Sequence, residues 1–210
     1  MSSTTASYLR GMRDSAPMAL VVVPFGLLFG VVGTEAGLNL AEVMGFSILV
    51  IAGASQFTAL QMLQEQAPTL VVLLTALAVN LRMAMYSVAL APHLGGAPVW
   101  QRALAAYFLV DQTFAVSAAA YERKPSQPLA QKVAYYFGAV TPICPPWYLA
   151  SWAGATLGQA IPPEFALDFA VPITFLAMIA PALRSLPHVV AAGVSIAVAL
   201  GLAGLPYSLG

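Results

Sequence analysis

Residues 70–91 read LVVLLTALAVNLRMAMYSVALA, an apolar run whose one charge, Arg82, stands near its middle. A helix needs about 20 apolar residues to cross about 30 Å of hydrocarbon. A second run, 100–121, carries Asp111 near its middle, with Arg102 at its start. An ionised side chain at mid-depth costs a few kcal/mol or more and usually marks a substrate or proton path. The turn signal Gly95-Gly96-Ala97-Pro98 lies between them. Folding back there as two antiparallel helices brings guanidinium and carboxylate to one depth.

Composition agrees with that reading. Apolar residues make up 60% of the chain and charged residues 8%, against roughly 25% charged in soluble domains. Mean hydropathy is +0.84. This is the pattern of an all-α integral membrane protein, a polytopic helical bundle forming one transporter domain over 1–210. The formal charge of zero gives no electrostatic footprint for nucleic acid. Cys144, the only cysteine, excludes an internal disulfide and a Cys-based metal cluster. His93 and His188 have no ligand spacing, so neither cofactor nor metal is expected.

Charge punctuation divides the chain into about seven spans, at 15–34, 43–64, 68–91, 100–121, 133–161, 165–183 and 188–209. The run Ser15–Thr34 is too long for a signal-peptide core and lacks a small-x-small cleavage site, so it reads as the first span. With the N-terminus in the cytoplasm, the inside flanks hold Arg10, Arg13, Arg123, Lys124, Lys132 and Arg184, and the outside loops only Arg102. That asymmetry favours N-terminus in.

The polar loop 122–132 separates two halves, 1–121 and 133–210. The second span holds Gly45, Gly53 and Ser55-Gln56; the fifth holds Gly138, Pro142, Pro145 and Pro146. Both read as broken helices. Broken spans at matching positions point to a transporter site and to inverted repeats, although no residue-level repeat stands out.

Each candidate residue has a functional and a structural reading. Asp111 is a proton carrier or ammonium-binding carboxylate, or the fixed partner of Arg82. Arg82 shares a helix face with Tyr86, and its fork suits a carboxylate; the alternatives are snorkelling and the same fixed pair. Gly53-Ala54-Ser55-Gln56-Phe57 admits close approach by a substrate or by another helix. Gly26 with Gly30, and Gly154 with Gly158, fit helix packing better. Trp147 and Trp152 read as interface anchors or pocket walls. An enzyme is disfavoured, since Ser55 lacks a base and no metal-ligand cluster is present. A passive channel or a structural membrane subunit without transport activity is the remaining alternative.

The ordered motifs resemble the AzlC family of branched-chain amino acid permeases. They are Arg13-Asp14-Ser15-Ala16-Pro17 with Pro24-Phe25-Gly26 and Phe29-Gly30; Gly53-Ala54-Ser55-Gln56-Phe57; Asn80-Leu81-Arg82 with Tyr86, then Leu90-Ala91-Pro92-His93-Leu94; and Leu109-Val110-Asp111 with Phe114. The resemblance implies a bacterial inner-membrane exporter of Val, Leu, Ile and Met, driven by the proton gradient. It would be the large subunit beside a small AzlD-type membrane protein. It implies substrate binding by Gly53, Ser55, Gln56, Asn80, Arg82 and Tyr86, with Phe57, Met85 and Phe114 as pocket lining, and proton coupling at Asp111. The family commonly has Asp-Glu in the fourth span; here Asp111-Gln112 leaves one carboxylate. The family also runs on past a stretch like Leu205-Pro206-Tyr207, so the end at Gly210 reads as a truncation.

Overall fold

The computed structural model describes residues 3–158 and 185–202. Every regular element in them is helical. The expected sixth span, 165–183, lies outside the described residues, as does the end of the seventh.

Helix α1 (Ser3–Ser15) passes through one 3-10 turn (Ala16–Met18) into α2 (Ala19–Glu35). Pro17, which lacks an N–H, sits in that turn. Together they make a 33-residue segment long and apolar enough to cross a membrane. We call the face where α1 begins the near face and the face where α2 ends the far face.

An Asn39/Glu42 capping box starts α3 (Leu40–Leu49) at the far face, with each side chain accepting from the other's backbone N–H at 3.0 and 2.7 Å. Val43 lies on Gly33, and the Phe46 and Phe29 rings are 6.4 Å apart, so α3 runs antiparallel to α2. Helix α4 (Gly53–Gln64) runs back. Gly53 lies beside Phe25, and Phe57 stands 5.5 Å from Phe29, so α4 parallels α2 toward the far face. The expected second span is therefore two half-helices that enter and leave by one face. With 10 and 12 residues, each rises only about 15–18 Å, half of a bilayer core.

Helix α5 (Thr69–Leu94) has 26 residues, about 39 Å, and crosses from far face to near face unbroken. After Gly95 the chain turns as the sequence predicts, and α6 (Val99–Tyr107) heads back inward. It stops at mid-depth. The Thr113 hydroxyl accepts from the Val110 N–H and donates to the Phe108 carbonyl, both at 3.0 Å, replacing bonds that a continuous helix would make. Helix α7 (Asp111–Arg123) then returns to the near face. Arg82 meets Asp111, the Tyr86 ring lies on Phe114, and His93 lies by Tyr121. These contacts advance together along both helices, so α5 and α7 run parallel. The segment that runs antiparallel to α5 after the Gly95-Gly96 turn is thus α6, set apart from α5 by a cavity, and Asp111 belongs to the helix after it.

Helices α8 (Leu129–Val140) and α9 (Cys144–Gly158) form a second two-part crossing segment, packed along α1 and α2. The break at 141–143 holds Pro142; Pro145 and Pro146 occupy the first turn of α9, where helix N–H groups have no internal acceptor. The packing is reciprocal. The Tyr8 hydroxyl pairs with Thr141 at 2.6 Å and the Tyr135 hydroxyl donates to Asp14 at 2.7 Å. Gly30 rests on the Ser151 carbonyl and Gly154 on the Leu27 carbonyl, approaches that no Cβ could share. The packing reading of these glycines therefore holds. Helix α10 (Leu186–Leu202) is apolar and has no buried residue.

Two helical hairpins that each turn back at mid-depth make a direct prediction. In a Cys144→Ala background, Gly96→Cys and Ser126→Cys react with an impermeant thiol reagent from the same side of the membrane, and Gly37→Cys from the other. Labelling of Gly96→Cys and Ser126→Cys from opposite sides would restore an unbroken fourth span.

Candidate functional site

The half-helix junctions meet. A cavity of about 90 Å³ is walled by Ile51 to Ala54 at the first hairpin tip, Val110 to Gln112 at the second, and Ile143 with Cys144 at the α8–α9 break. Val21, Val22 and Phe25 of α2, Trp147 of α9, and Arg82 and Met83 of α5 complete it. At about 10–15 Å³ per water, there is room for several water molecules or a small polar group.

Arg82 Nη1 stands 3.2 Å from Asp111 Oδ2, with the two side chains 30% and 41% exposed. The pairing of these residues follows from the sequence reading. The contact is single rather than a two-pronged fork, and Arg82 Nε and Asp111 Oδ1 have no protein partner. An arginine with donors to spare, facing a cavity, can take a second anion.

The backbone adds to this. Helices α4 and α7 begin at the cavity wall, so their first N–H groups lack an acceptor within the helix. Each N-terminus carries roughly half a positive charge. Arg82 and Asp111 cancel to first order, so the cavity as a whole favours an anionic group, with one carboxylate ready to meet a cation. The apolar wall is aromatic. Phe25 is 4.8 Å from Phe57 and 6.1 Å from Trp147 between ring centroids, and Phe29 is fully buried behind them.

The first tip is strained. Ile51 has φ 41°, a left-handed conformation that a β-branched residue rarely adopts. Strain of this kind costs about 1–3 kcal/mol and persists where surrounding structure enforces it. Ile51 is buried in the cavity wall.

Of the residues expected at the site, Gly53, Arg82 and Asp111 line the cavity. Ser55, Gln56, Asn80 and Tyr86 do not line it. The buried Ser55 hydroxyl donates to the Ala76 carbonyl and accepts from the Asn80 amide, both at 3.3 Å, which ties α4 to α5. The Gln56 amide donates to Ser47 at 3.4 Å and ties α4 to α3. Tyr86 lies flat on Phe114 with centroids 4.1 Å apart, holding α5 to α7. Met85 points outward and is 66% exposed, and Phe57 forms a second layer behind Phe25. Sequence reasoning missed Val22, Phe25, Ile143 and Cys144 as lining; Trp147 was open between anchor and wall, and is wall. Proline was the available signal: Pro17 and Pro142 mark the breaks in the two crossing segments that bring these residues together.

The family profile described as AzlC protein matches residues 17–161. The inner membrane protein YgaZ of Escherichia coli K12 is 27% identical over 191 residues, covering 83% of this chain and 73% of its own. An uncharacterized membrane protein of Archaeoglobus fulgidus is 29% identical over 205 residues, covering 94% and 85%. A Helicobacter pylori membrane protein is 26% identical over 113 residues, covering 52% and 49%. No solved structure matches the chain.

A Cβ on Gly53 would stand 2.9 Å from the Phe25 ring and 3.2 Å from Trp147. In a Trp100→Phe, Trp152→Phe background, Gly53→Ala should shift the emission of Trp147 and leave helical circular dichroism unchanged. Unaltered emission would place Gly53 away from the aromatic wall.

Proposed function

Because the chain belongs to the AzlC family of membrane proteins, we propose that it exports branched-chain amino acids and methionine across the bacterial inner membrane. In this reading it is the large subunit beside a small AzlD-type protein. Its N-terminus, and so the near face, is cytoplasmic. The observation that carries the proposal is the cavity at mid-depth where the Arg82–Asp111 pair meets two hairpin tips.

An amino acid is a zwitterion with an apolar side chain, and the cavity, once widened beyond its present volume of about 90 Å³ by movement of a hairpin, offers a complement to each part. The carboxylate goes to Arg82 and the N–H groups opening α4 and α7. The ammonium goes to Asp111, and the side chain to Phe25, Val22, Ile143 and Trp147. On binding, each member of the ion pair exchanges its protein partner for the substrate's opposite charge. The loaded carrier and the empty, deprotonated carrier are then both internally neutral. That matters because an uncompensated charge at mid-depth costs a few kcal/mol or more.

The order of elements supports an inverted repeat with boundaries other than 1–121 and 133–210. Residues 3–64 comprise a crossing segment and a hairpin from the far face; residues 69–123 comprise the opposite crossing and a hairpin from the near face. The tips share a pattern, Ser55-Gln56-Phe57-Thr58-Ala59 against Asp111-Gln112-Thr113-Phe114-Ala115. Movement of the second hairpin against the rest would open the cavity to one face and then the other, the usual logic of such folds. Once the amino acid has left, Asp111 takes up the coupled proton, and the protonated carrier returns with the single positive charge of Arg82. One charge moved through about 100 mV supplies about 2.3 kcal/mol, enough for a roughly fifty-fold gradient.

Efflux from amino acid-loaded vesicles containing this chain, with and without an AzlD-type partner, tests the reading. Saturable, gradient-dependent leucine efflux supports it. Non-saturable flux indicates a channel, and no flux with any partner indicates a structural subunit. Asp111→Asn should abolish uphill export while retaining roughly a tenth or more of exchange, because asparagine still hydrogen-bonds but does not titrate. Unchanged pH-dependent uphill export by that variant would remove Asp111 from coupling.

A further inference from the structure

We propose that the near-face cleft between α1, the end of α7 and the start of α8 binds a phosphate oxyanion, presented by the headgroup of an anionic phospholipid. The cleft has a volume of about 530 Å³, and Arg10, Arg123 and Lys124 line it together with Ser7, Gln127 and Gln131. No carboxylate is among its lining residues. Asp14, further along α1, is engaged by the Tyr135 hydroxyl at 2.7 Å.

The cations are posed rather than merely present. Arg10 is held by the Ser7 hydroxyl at 3.3 Å and lies over the Tyr135 ring, 5.7 Å from its centre. Arg123 spends Nε on the Ala119 carbonyl at 3.1 Å, which fixes the guanidinium and leaves its outer nitrogens for another partner. Gln127 bridges Ser7 and Gln131 at 3.3 and 3.1 Å, joining the 124–128 loop to α1 and α8. Guanidinium forks match phosphate geometry, and lysine adds a point charge.

Position supplies the rest of the argument. The cleft lies where two crossing segments and the second hairpin reach the near face, which is the headgroup level of the bilayer. Basic flanking residues by themselves are the general rule for a cytoplasmic face. An open cleft that gathers three of the chain's eight Lys and Arg, from two helices and a loop, goes beyond that rule. Its volume falls within the range of small-ligand sites, about 300–1,000 Å³. Arg102 lines a different cavity, between α5 and α6, and serves as a control cation.

The inference is independent of what the central cavity carries. The full chain, purified in neutral detergent, is titrated with phosphatidylglycerol, with phosphatidylcholine and with inorganic phosphate. Bound lipid is counted by native mass spectrometry, and the unfolding midpoint is followed. The expected result is retention of phosphatidylglycerol over phosphatidylcholine. That preference should fall about fivefold for each of Arg10→Gln, Arg123→Gln and Lys124→Gln, and stay unchanged in Arg102→Gln. Arg123 and Lys124 are exposed, so these two variants keep the test open should Arg10→Gln not fold. Protection by inorganic phosphate alone, lost in the same variants, would keep the oxyanion site but reassign its source to a free anion. Equal retention of the two lipids with no effect of phosphate, or a preference that survives Arg123→Gln and Lys124→Gln, overturns the proposal.

Discussion

A guanidinium placed in the middle of a membrane helix must have a counter-charge within reach, and much of this architecture follows from supplying one. Arg82 is fixed at mid-depth by the unbroken apolar helix around it. Asp111 reaches it because α6 stops after nine residues and α7 starts at that depth. A continuous fourth span would also pass Arg82, but it would carry Asp111 mid-helix, with the neighbouring N–H groups already bonded. Breaking the span puts the carboxylate in the first turn of α7, where Arg82 and the helix dipole both favour negative charge. The break costs backbone hydrogen bonds, and Thr113 restores two of them.

The same solution recurs at the other junctions. Irregular backbone at membrane depth is tolerated where it is enclosed by protein or lines a cavity. Here the tips at 50–52 and 108–110 and the break at 141–143 do so together. Tyrosines hold the pieces in place. Tyr107 at the second tip donates to the Ile48 carbonyl at the first, at 2.7 Å, and Tyr136 of α8 donates to the Ala105 carbonyl of α6, also at 2.7 Å. The close approaches at Gly30 and Gly154 bind the two crossing segments into a frame. Against that frame the second hairpin is loosely anchored, since α6 buries no residue and α7 only Thr113, Ser117 and Tyr121, whereas α4 of the first hairpin buries half of its length. This contrast suits a second hairpin that moves while the frame and α4 stay.

The class of protein, the pairing of Arg82 with Asp111 and the breaks near Gly53 and Pro142 are legible from residues alone, because each rests on a large local cost. A charge in hydrocarbon and a missing proline N–H are such costs. The direction of the half-helices is not legible. Residues 43–64 and 100–121 are long and apolar enough to cross, and hydropathy is blind to whether a chain turns back at mid-depth. The deciding groups were a threonine hydroxyl and one left-handed isoleucine, signals too common to read without the fold. The site was legible where it depended on charge or on glycine, and illegible where it depended on shape. Ser55, Gln56 and Asn80 look like ligand groups in a linear motif, but the Ser55 hydroxyl and the amide nitrogens of Gln56 and Asn80 join helices away from the cavity, while Gln56 Oε1 and Asn80 Oδ1 keep no protein partner. Phe25 and Trp147 look like core residues, yet they wall the cavity.

The central claim is that the cavity reads both charges of a zwitterion by exchange against its own ion pair. The most direct measurement is competition for leucine efflux by leucinamide, which lacks the carboxylate, and by 4-methylpentanoate, which lacks the amine. The account predicts that leucine, isoleucine and valine compete, while each singly charged analogue is at least about tenfold weaker, since it leaves one member of the pair unmatched in a cavity of low polarity. Competition by either analogue as strong as that of leucine would contradict it.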